Sequence, residues 1–331
     1  MANGLSVGKS TSPHIHQFSE RIAIGGVPVS DPSIVHAFQE IESARKEITL
    51  TYFEFATLAS LFLFREQKVD VAILEVGLGG RLDAMNIVNP DLTIITNISL
   101  DHQDWLGNTR ADIAREKAGI MRAGVSCIVA DRDPPQSVYD HALEIGASLC
   151  IIGLDFESSN EFDTILPRDS FDAAQQASKM LGWDVSRAQE IGITTHLTGR
   201  RTVMEDKCEV LLDVAHNPAA AASLAEHLRA HWDGRNIHAV IGMYKDKDIE
   251  SVSEILMPLF KTCHLTSIGE SRGEDADRFL RRLSAKPAGF VETYVNIKDA
   301  LDGARKEASP ADLILVCGSF HVVSGVLQLL S

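Results

Sequence analysis

The stretch Val69–Asp83, VDVAILEVGLGGRLD, sets the class of fold. Its first eight residues form a nearly continuous apolar run, the pattern of a strand buried on both faces of a parallel sheet. Similar runs recur at Leu92–Ile98 (LTIITNI), Ser126–Ala130, Leu149–Gly153, Glu209–Ala215 (EVLLDVA), Ile237–Met243 (IHAVIGM), His264–Ile268 and Leu313–Ser319 (LILVCGS). Between them Phe55, Leu58 and Phe62, and later Leu224, Leu228 and Trp232, repeat at helical spacing. Apolar strands alternating with helices predict an α/β protein whose sheets are covered on both sides.

A chain of 331 residues is long for one core, so two domains are expected. The polar interruption Thr194–Arg201 (TTHLTGRR) places them at 1–197 and 200–331, and the acidic, Ser-rich stretch Asp155–Arg168 reads as a surface loop. With 46 acidic against 31 basic residues the net charge is -15, which excludes a nucleic-acid surface built on clustered Lys and Arg. The five cysteines are odd in number and widely spaced, with no C-x-x-C, and four lie in apolar runs. They read as buried reduced thiols, suited to a reducing compartment. No run approaches the ~20 apolar residues of a membrane span, and the N-terminus has no signal-like apolar region. A cytoplasmic protein with no membrane partner is the expectation.

Ligands of open α/β sheets gather beyond the carboxyl ends of strands. After Val76 the chain runs Gly77-Leu78-Gly79-Gly80-Arg81-Leu82-Asp83, but a dinucleotide fingerprint needs Gly at position 82. Glu75, Asp83, Asp101, His102 and Asp104 fall at or just after the ends of two successive strands. An oxygen-rich set with a lone His suits Mg²⁺ better than Zn²⁺. The same spacing also suits Asp101 as a turn cap and His102 as a hydrogen-bonded loop residue. Later, Asp213-Val214-Ala215-His216-Asn217-Pro218 leads into an Ala-rich helix, with Pro218 first in the helix and Asn217 its cap. Asp213 and Asn217 read equally as organisers of that turn, and Lys245-Asp246-Lys247-Asp248 as a solvated charge run. There is no G-x-S-x-G elbow and no Cys beside a plausible His partner. Gly4–Thr11 (GLSVGKST) has three residues between its glycines where a phosphate loop needs four, so it is not a phosphate cradle.

Eight segments together resemble the dihydrofolate synthase/folylpolyglutamate synthase family, the folate branch of the Mur ligases. They are TSPHIHQFSERI (Thr11–Ile22), TYFEFATLAS (Thr51–Ser60), EVGLGGRLDAMN (Glu75–Asn86), TNISLDHQDWLG (Thr96–Gly107), REKAGI (Arg115–Ile120), DVAHNP (Asp213–Pro218), GMYKDKD (Gly242–Asp248) and CGSFHVV (Cys317–Val323). They keep the family's order over nearly the whole chain. The resemblance implies a Mur-ligase-like α/β fold of two domains, each with a mostly parallel sheet flanked by helices: an ATPase-like central domain and a C-terminal glutamate-ligase domain.

It implies a monomer that takes only small molecules: ATP, L-glutamate, and dihydropteroate or a folate. ATP phosphorylates the pterin acid's carboxylate, and the glutamate amine attacks the acyl phosphate. Glu75 and His102 would bind Mg²⁺ with Ser12 nearby, a monovalent cation being allowed, and Lys117 would be carbamylated to give another metal-binding anion. Thr51, Phe53 and Asp83 would contact the pterin. Arg200, Asp213 and Lys245 would face the nucleotide, and His216 and Ser319 the glutamate and acyl-transfer region. The chain departs from the family in lacking its opening strand, Thr-Asn-Gly-Lys-Gly-Ser loop and helix. Thr198-Gly199-Arg200 also replaces Pro-Gly-Arg, and Ser170 stands where Asn is common. Two other readings stay open here, an impaired folate- or nucleotide-binding remnant of the family and a ligase for cell-wall precursors.

Overall fold

The computed structural model describes residues 3–157 and 166–330, so most of the loop expected at Asp155–Arg168 lies outside the described residues. Contacts divide the chain into two compact units. The first runs to Ile98 and continues over Leu106–Thr194; the second joins Ser99–Trp105 to the chain from Thr195 onward. Ser99–Trp105 therefore groups with residues far along the chain, although sequence order puts it with the first unit.

The first unit holds two sheets. Strands β1 (Val7–Ser10), β2 (Ile22–Ile24), β3 (Val27–Pro28) and β4 (Val71–Leu74) lie in the order β3-β2-β1-β4. The β1–β4 pair is parallel, while β1–β2 and β2–β3 are antiparallel. Strands β5 (Thr93–Ile95), β6 (Ser126–Val129) and β7 (Ser148–Ile151) form a parallel sheet in that order. The strand ends that carry Glu75 and Asp101 thus belong to different sheets, and among the described residues β4 has no strand on its side away from β1. Ile73 of β4 is 53% exposed and Ile94 of β5 38%, so neither the VDVAILEV nor the LTIITNI run is buried on both faces as its composition suggests. The apolar face of β4 lacks a cover among the described residues.

Half of Gly4–Thr11, Val7–Ser10, is strand β1. Gly8 sits in β1 under the Phe64 ring, where a Cβ would fall 2.6 Å from Phe64 Cδ1. The glycine that mimics a phosphate loop serves close packing against the helix Tyr52–Glu66. That helix opens with a capping box: Glu54 N donates to Thr51 Oγ1 and Thr51 N donates to the Glu54 carboxylate at 2.6 Å. Its buried face, with Ala59, Leu63 and Phe64, packs on Ile22, Ala37 and Ile41.

The second unit is one six-stranded sheet. Its strands are β8 (Thr202–Glu205), β9 (Glu209–Leu212), β10 (Ile237–Ile241), β11 (Thr262–Thr266), β12 (Val291–Tyr294) and β13 (Leu313–Cys317), in the order β12-β11-β10-β13-β9-β8. Every pair is parallel except β8–β9. Strands β10, β11 and β13 are buried at each residue, as continuous apolar runs require. Strands β1, β2, β3, β8 and β12 give no clear sequence signal because they are short, mixed in polarity or at an edge. Cys127, Cys208, Cys263 and Cys317 are buried and Cys150 is partly so; all are free thiols. Burial pushes the Cys127 thiol up to about 11.

Candidate active site

The loop after β4 is folded by Asp83. Its carboxylate accepts from Gly77 N (3.1 Å), Leu78 N (3.0 Å) and Met85 N (2.9 Å), closing the turn and capping the short helix Ala84–Ile87. Asp83, expected against the pterin, is thus an organiser of the loop. Gly77 lies under the Phe53 ring, where a Cβ would fall 2.5 Å from Phe53 Cζ. Further on, Arg81 N donates to Glu116 O at 2.8 Å and the Arg81 guanidinium pairs with the Glu116 carboxylate. The loop therefore rests on the last turn of the helix Arg110–Ala118, which begins at the Thr109 cap and carries Lys117. A Cβ on Gly80 would meet the carbonyls of Glu116 and Lys117 at 2.9 and 3.0 Å.

Glu75 and Ser12 come together. Ser12 N donates to Glu75 Oε2 at 2.6 Å, and both residues line a small cavity with Phe53, Arg21, Ser10 and Ser60. The contact is made by the Ser12 backbone; the Glu75 carboxylate and the Ser12 hydroxyl, both at this cavity, are the hard oxygen ligands that Mg²⁺ takes. Among the described residues no three His, Cys, Asp or Glu side chains gather into a metal cluster. Thr51, expected at the pterin, caps the helix that carries Phe53.

In the second unit two strand-end segments, Asp213–Pro218 and Gly242–Asp248, converge on Asp101. Lys247 Nζ donates to Asp101 Oδ1 at 2.7 Å, Asn217 Nδ2 donates to Asp101 Oδ2 at 3.0 Å, and His216 Nε2 lies 3.6 Å from the same oxygen. Burial alone would raise the Asp101 pKa, but His216, Lys247 and Asn217 together hold it well below the usual carboxylate range. Lys247 is only 6% exposed. The KDKD stretch is therefore not a solvated charge run. Lys247 is a buried cation, Asp248 caps the helix Ile249–Leu256, and Asp246 pairs with Arg272. His102 has φ 51° and its Nε2 lies 3.5 Å from Lys247 Nζ; burial first, then Lys247, lowers its pKa.

The His216 ring is oriented from behind. Its Nδ1 lies 2.8 Å from Val214 O, which fixes the proton there and leaves Nε2 toward Asp101. Asn217 caps the helix Pro218–His231 through Ala220 N, as its sequence context predicts. Asp213 accepts from Ala215 N at 2.8 Å and Arg201 N at 3.1 Å, and burial raises its pKa. Arg200 places its guanidinium 5.1 Å over the Phe320 ring. Ser319 is buried, with Oγ accepting from Val322 N at the start of the last helix. Lys245 Nζ donates to Ser271 O, so Lys247 rather than Lys245 is the lysine gathered with His216 and Asp101. Sequence reading passed over Lys247 because a lysine between two aspartates looks solvated. Its partner lies 146 residues away.

These two units, one holding the Glu75 loop and Lys117, the other gathering Lys247, His216 and Asp101, have the organisation of a Mur ligase. The Mur ligase middle domain family matches residues 6–204, and the Mur ligase glutamate ligase domain family matches residues 199–320. The chain belongs to the dihydrofolate synthase/folylpolyglutamate synthase family. It is 38% identical over 348 residues to the Escherichia coli dihydrofolate synthase/folylpolyglutamate synthase, covering 100% of this chain and 81% of that one. The solved Escherichia coli FolC in complex with DHPP and ADP superposes with a TM-score of 0.93 at 36% identity, covering 99% of this chain and 83% of that one. The Yersinia pestis bifunctional folylpolyglutamate synthase/dihydrofolate synthase, complexed with AMPPNP and Mn ion, gives 0.92 at 36% identity, with the same coverage.

Proposed function

We propose that this chain is an ATP-dependent ligase that joins L-glutamate to dihydropteroate, to a folate polyglutamate tail, or to both. ATP transfers its γ-phosphoryl group to the acceptor carboxylate. The glutamate amine attacks the acyl carbon, phosphate leaves, and an amide bond remains. The observation that carries this reading is the gathering on Asp101 of two strand-end segments, DVAHNP and GMYKDKD, both of them, like Asp101's own segment, among the eight that resemble this family.

Glu75 and Ser12 are the residues that would hold Mg²⁺, with His102 and a carbamylated Lys117 as further ligands and a monovalent cation allowed. When bound, that ion neutralises phosphate charge. The Glu75–Ser12 contact supports the first pair. Thr51, Phe53 and Asp83 are assigned to contact with the pterin, Thr51 and Asp83 also shaping the helix and the loop there. Arg200, Asp213 and Lys245 are assigned to the nucleotide, and His216 and Ser319 to the glutamate amine and acyl transfer. His216, held in orientation by Val214 O, is assigned the role of general base toward the glutamate amine. We assign residues 1–197 to the ATPase-like domain and 200–331 to the glutamate-ligase domain. A monomer working in the cytoplasm completes the reading. Among the described residues no helix is long and apolar enough to cross a membrane.

Glutamate incorporation tests this, with dihydropteroate and tetrahydrofolate as alternative acceptors. It is measured for the 331-residue chain alone and for a fusion carrying the family's strand–loop–helix in front. ATP-dependent incorporation by the fusion is expected. A folded fusion that incorporates glutamate into neither acceptor would overturn the assignment.

A further inference from the structure

A line of polar side chains crosses the otherwise apolar sheet of the second unit. His238 Nε2 lies 3.5 Å from Asp312 Oδ2, and His238 Nδ1 lies 2.8 Å from Thr262 Oγ1. Thr262 Oγ1 is 3.1 Å from His264 Nε2, and His264 Nδ1 is 3.1 Å from the Tyr294 hydroxyl. That hydroxyl donates to Glu292 Oε2 at 2.6 Å. The line thus has five gaps, and a carboxylate closes each end. His238, Thr262 and His264 are buried, whereas Glu292 is exposed. His238 and Thr262 stand at the starts of β10 and β11, at the end of the sheet away from Lys247, His216 and Ser319.

Counting protons shows a deficit. Neutral His238, Thr262, His264 and Tyr294 each place one proton in the line, and ionised carboxylates place none. Four protons cannot fill five gaps. The distances say which gap is empty. Glu292 can only accept, so Tyr294 donates to it. His264 then donates from Nδ1 to Tyr294, Thr262 donates to His264 Nε2, and His238 donates from Nδ1 to Thr262. His238 Nε2 is left with a lone pair facing the Asp312 carboxylate. This is the longest gap, and among the described residues Nε2 has no hydrogen-bond partner.

We propose that this ladder is a proton-acceptor device one proton short, with its vacancy between His238 and Asp312 and its direction set from the surface by Glu292. A single proton taken up by His238 gives Nε2–H donating to Asp312 and breaks no other bond. Asp312 stays ionised: burial raises its pKa, but the donors Ser309 N, Ser309 Oγ and Asn236 Nδ2 outweigh it and hold it well below the usual range. Burial lowers the His238 pKa, Asp312 and Glu307 raise it, and Lys261 lowers it. His264 is lowered to about 4, chiefly by burial, with Glu292 and Glu307 opposing and His238 adding to the fall. Around Tyr294 the charged neighbours are Glu292, Glu307 and Asp299. Proton uptake therefore belongs below the ordinary histidine range. Gly303, in the helix Ile297–Glu307, lets that helix close over the ladder; a Cβ there would strike the Tyr294 hydroxyl and lie 2.9 Å from His264 Nδ1.

Glu292→Gln is the decisive variant. It replaces an exposed carboxylate by an amide that can donate to Tyr294, so five donors meet five gaps and every bond reverses. In ¹⁵N-labelled protein at neutral pH, the long-range ¹H–¹⁵N spectrum of the wild type should show His238 and His264 both protonated on Nδ1. In Glu292→Gln both should carry the proton on Nε2, and His238 should titrate at lower pH because its gap is already filled. Tyr294→Phe cuts the line, so adding Glu292→Gln to it should leave the tautomers of Tyr294→Phe unchanged. A wild-type His238 protonated on Nε2 at neutral pH, or tautomers that ignore Glu292→Gln, would overturn the proposal. So would a tautomer switch that survives Tyr294→Phe.

Discussion

The two units solve the same architectural problem to different degrees. Strands β10, β11 and β13 of the second unit are buried at each residue and lie in one sheet, whereas β4 and β5 of the first lie in separate sheets and expose Ile73 and Ile94. The sequence runs are equally apolar. A continuous apolar run thus records the burial a strand is built for, and the neighbouring elements determine whether it obtains that burial. The functional residues divide the same way. Glu75, at the exposed strand end, accepts from the Ser12 backbone N–H at 2.6 Å, while Asp101 is gripped by the side chains of Lys247 and Asn217 with His216 alongside.

The largest expected effect concerns the first unit. A phosphate loop supplies backbone N–H groups, a Lys to the β/γ-phosphates and a hydroxyl on Mg²⁺. The nearest match here, Gly4–Thr11, is occupied by β1. ATP turnover by the 331 residues alone should therefore fall orders of magnitude below that of the fusion with the family's strand–loop–helix. Titration with a non-hydrolysable ATP analogue should show weak affinity beside better preserved pterin binding. Equal turnover in both proteins would break the comparison. In the fusion, Lys117→Ala should abolish ligation, with partial rescue by added short-chain carboxylates. Unaltered turnover would remove the carbamate from the mechanism.

Next in size is the buried pair of the second unit. Asp101→Ala leaves Lys247 buried without its anion and should destabilise that unit by about 3–5 kcal/mol, read from urea unfolding. A loss under 1 kcal/mol would mean that the pair is solvated after all. Asp213→Ala separates structure from chemistry. Loss of its turn bonds alone should cost about 0.5–2 kcal/mol, comparable to a lost cap, whereas a catalytic role should lower turnover in the fusion far more than the melting temperature.

The pH dependence follows from buried histidines of the second unit. His227 is lowered to about 3 and His264 to about 4, in each case chiefly by burial. Because their folded pKa values lie below the unfolded value of about 6.5, the unfolded chain binds more protons as pH falls. Stability should be flat above about pH 7 and decline from pH 6.5 toward 4, by about 1–3 kcal/mol per histidine. His264→Gln should shrink that decline. A pH-independent melting temperature across this window would refute it.

The smallest effect makes the sharpest contrast. Ile241→Ala, at a buried position of β10, should cost about 2–5 kcal/mol. Ile73→Thr, on the exposed face of β4, should change stability by about 0.5 kcal/mol or less while reducing aggregation measured by light scattering. Matched losses at the two positions would mean that β4 is covered.

Much of this protein was legible before any coordinates. Strands β9, β10, β11 and β13, the Asn217 cap and the meeting of Ser12 with Glu75 follow from apolar period, cap chemistry or the ordered family segments. Three features were not. Asp83 looks like a ligand residue but satisfies the N–H groups of its own loop. Lys247 looks solvated but is buried on Asp101, and the acidic residues that seem to share neighbouring strand ends lie on different sheets.

By itself, the sequence determined the α/β class and the family, because periodicity, caps and short motifs are local and survive without knowledge of the partners. Only the tertiary structure decided which lysine meets Asp101 across 146 residues, which Asn holds it across 116, and which apolar strands find cover. Those outcomes depend on which distant elements the chain brings together. A local pattern can state that a residue suits burial or pairing, but it carries no information about the partner that provides it.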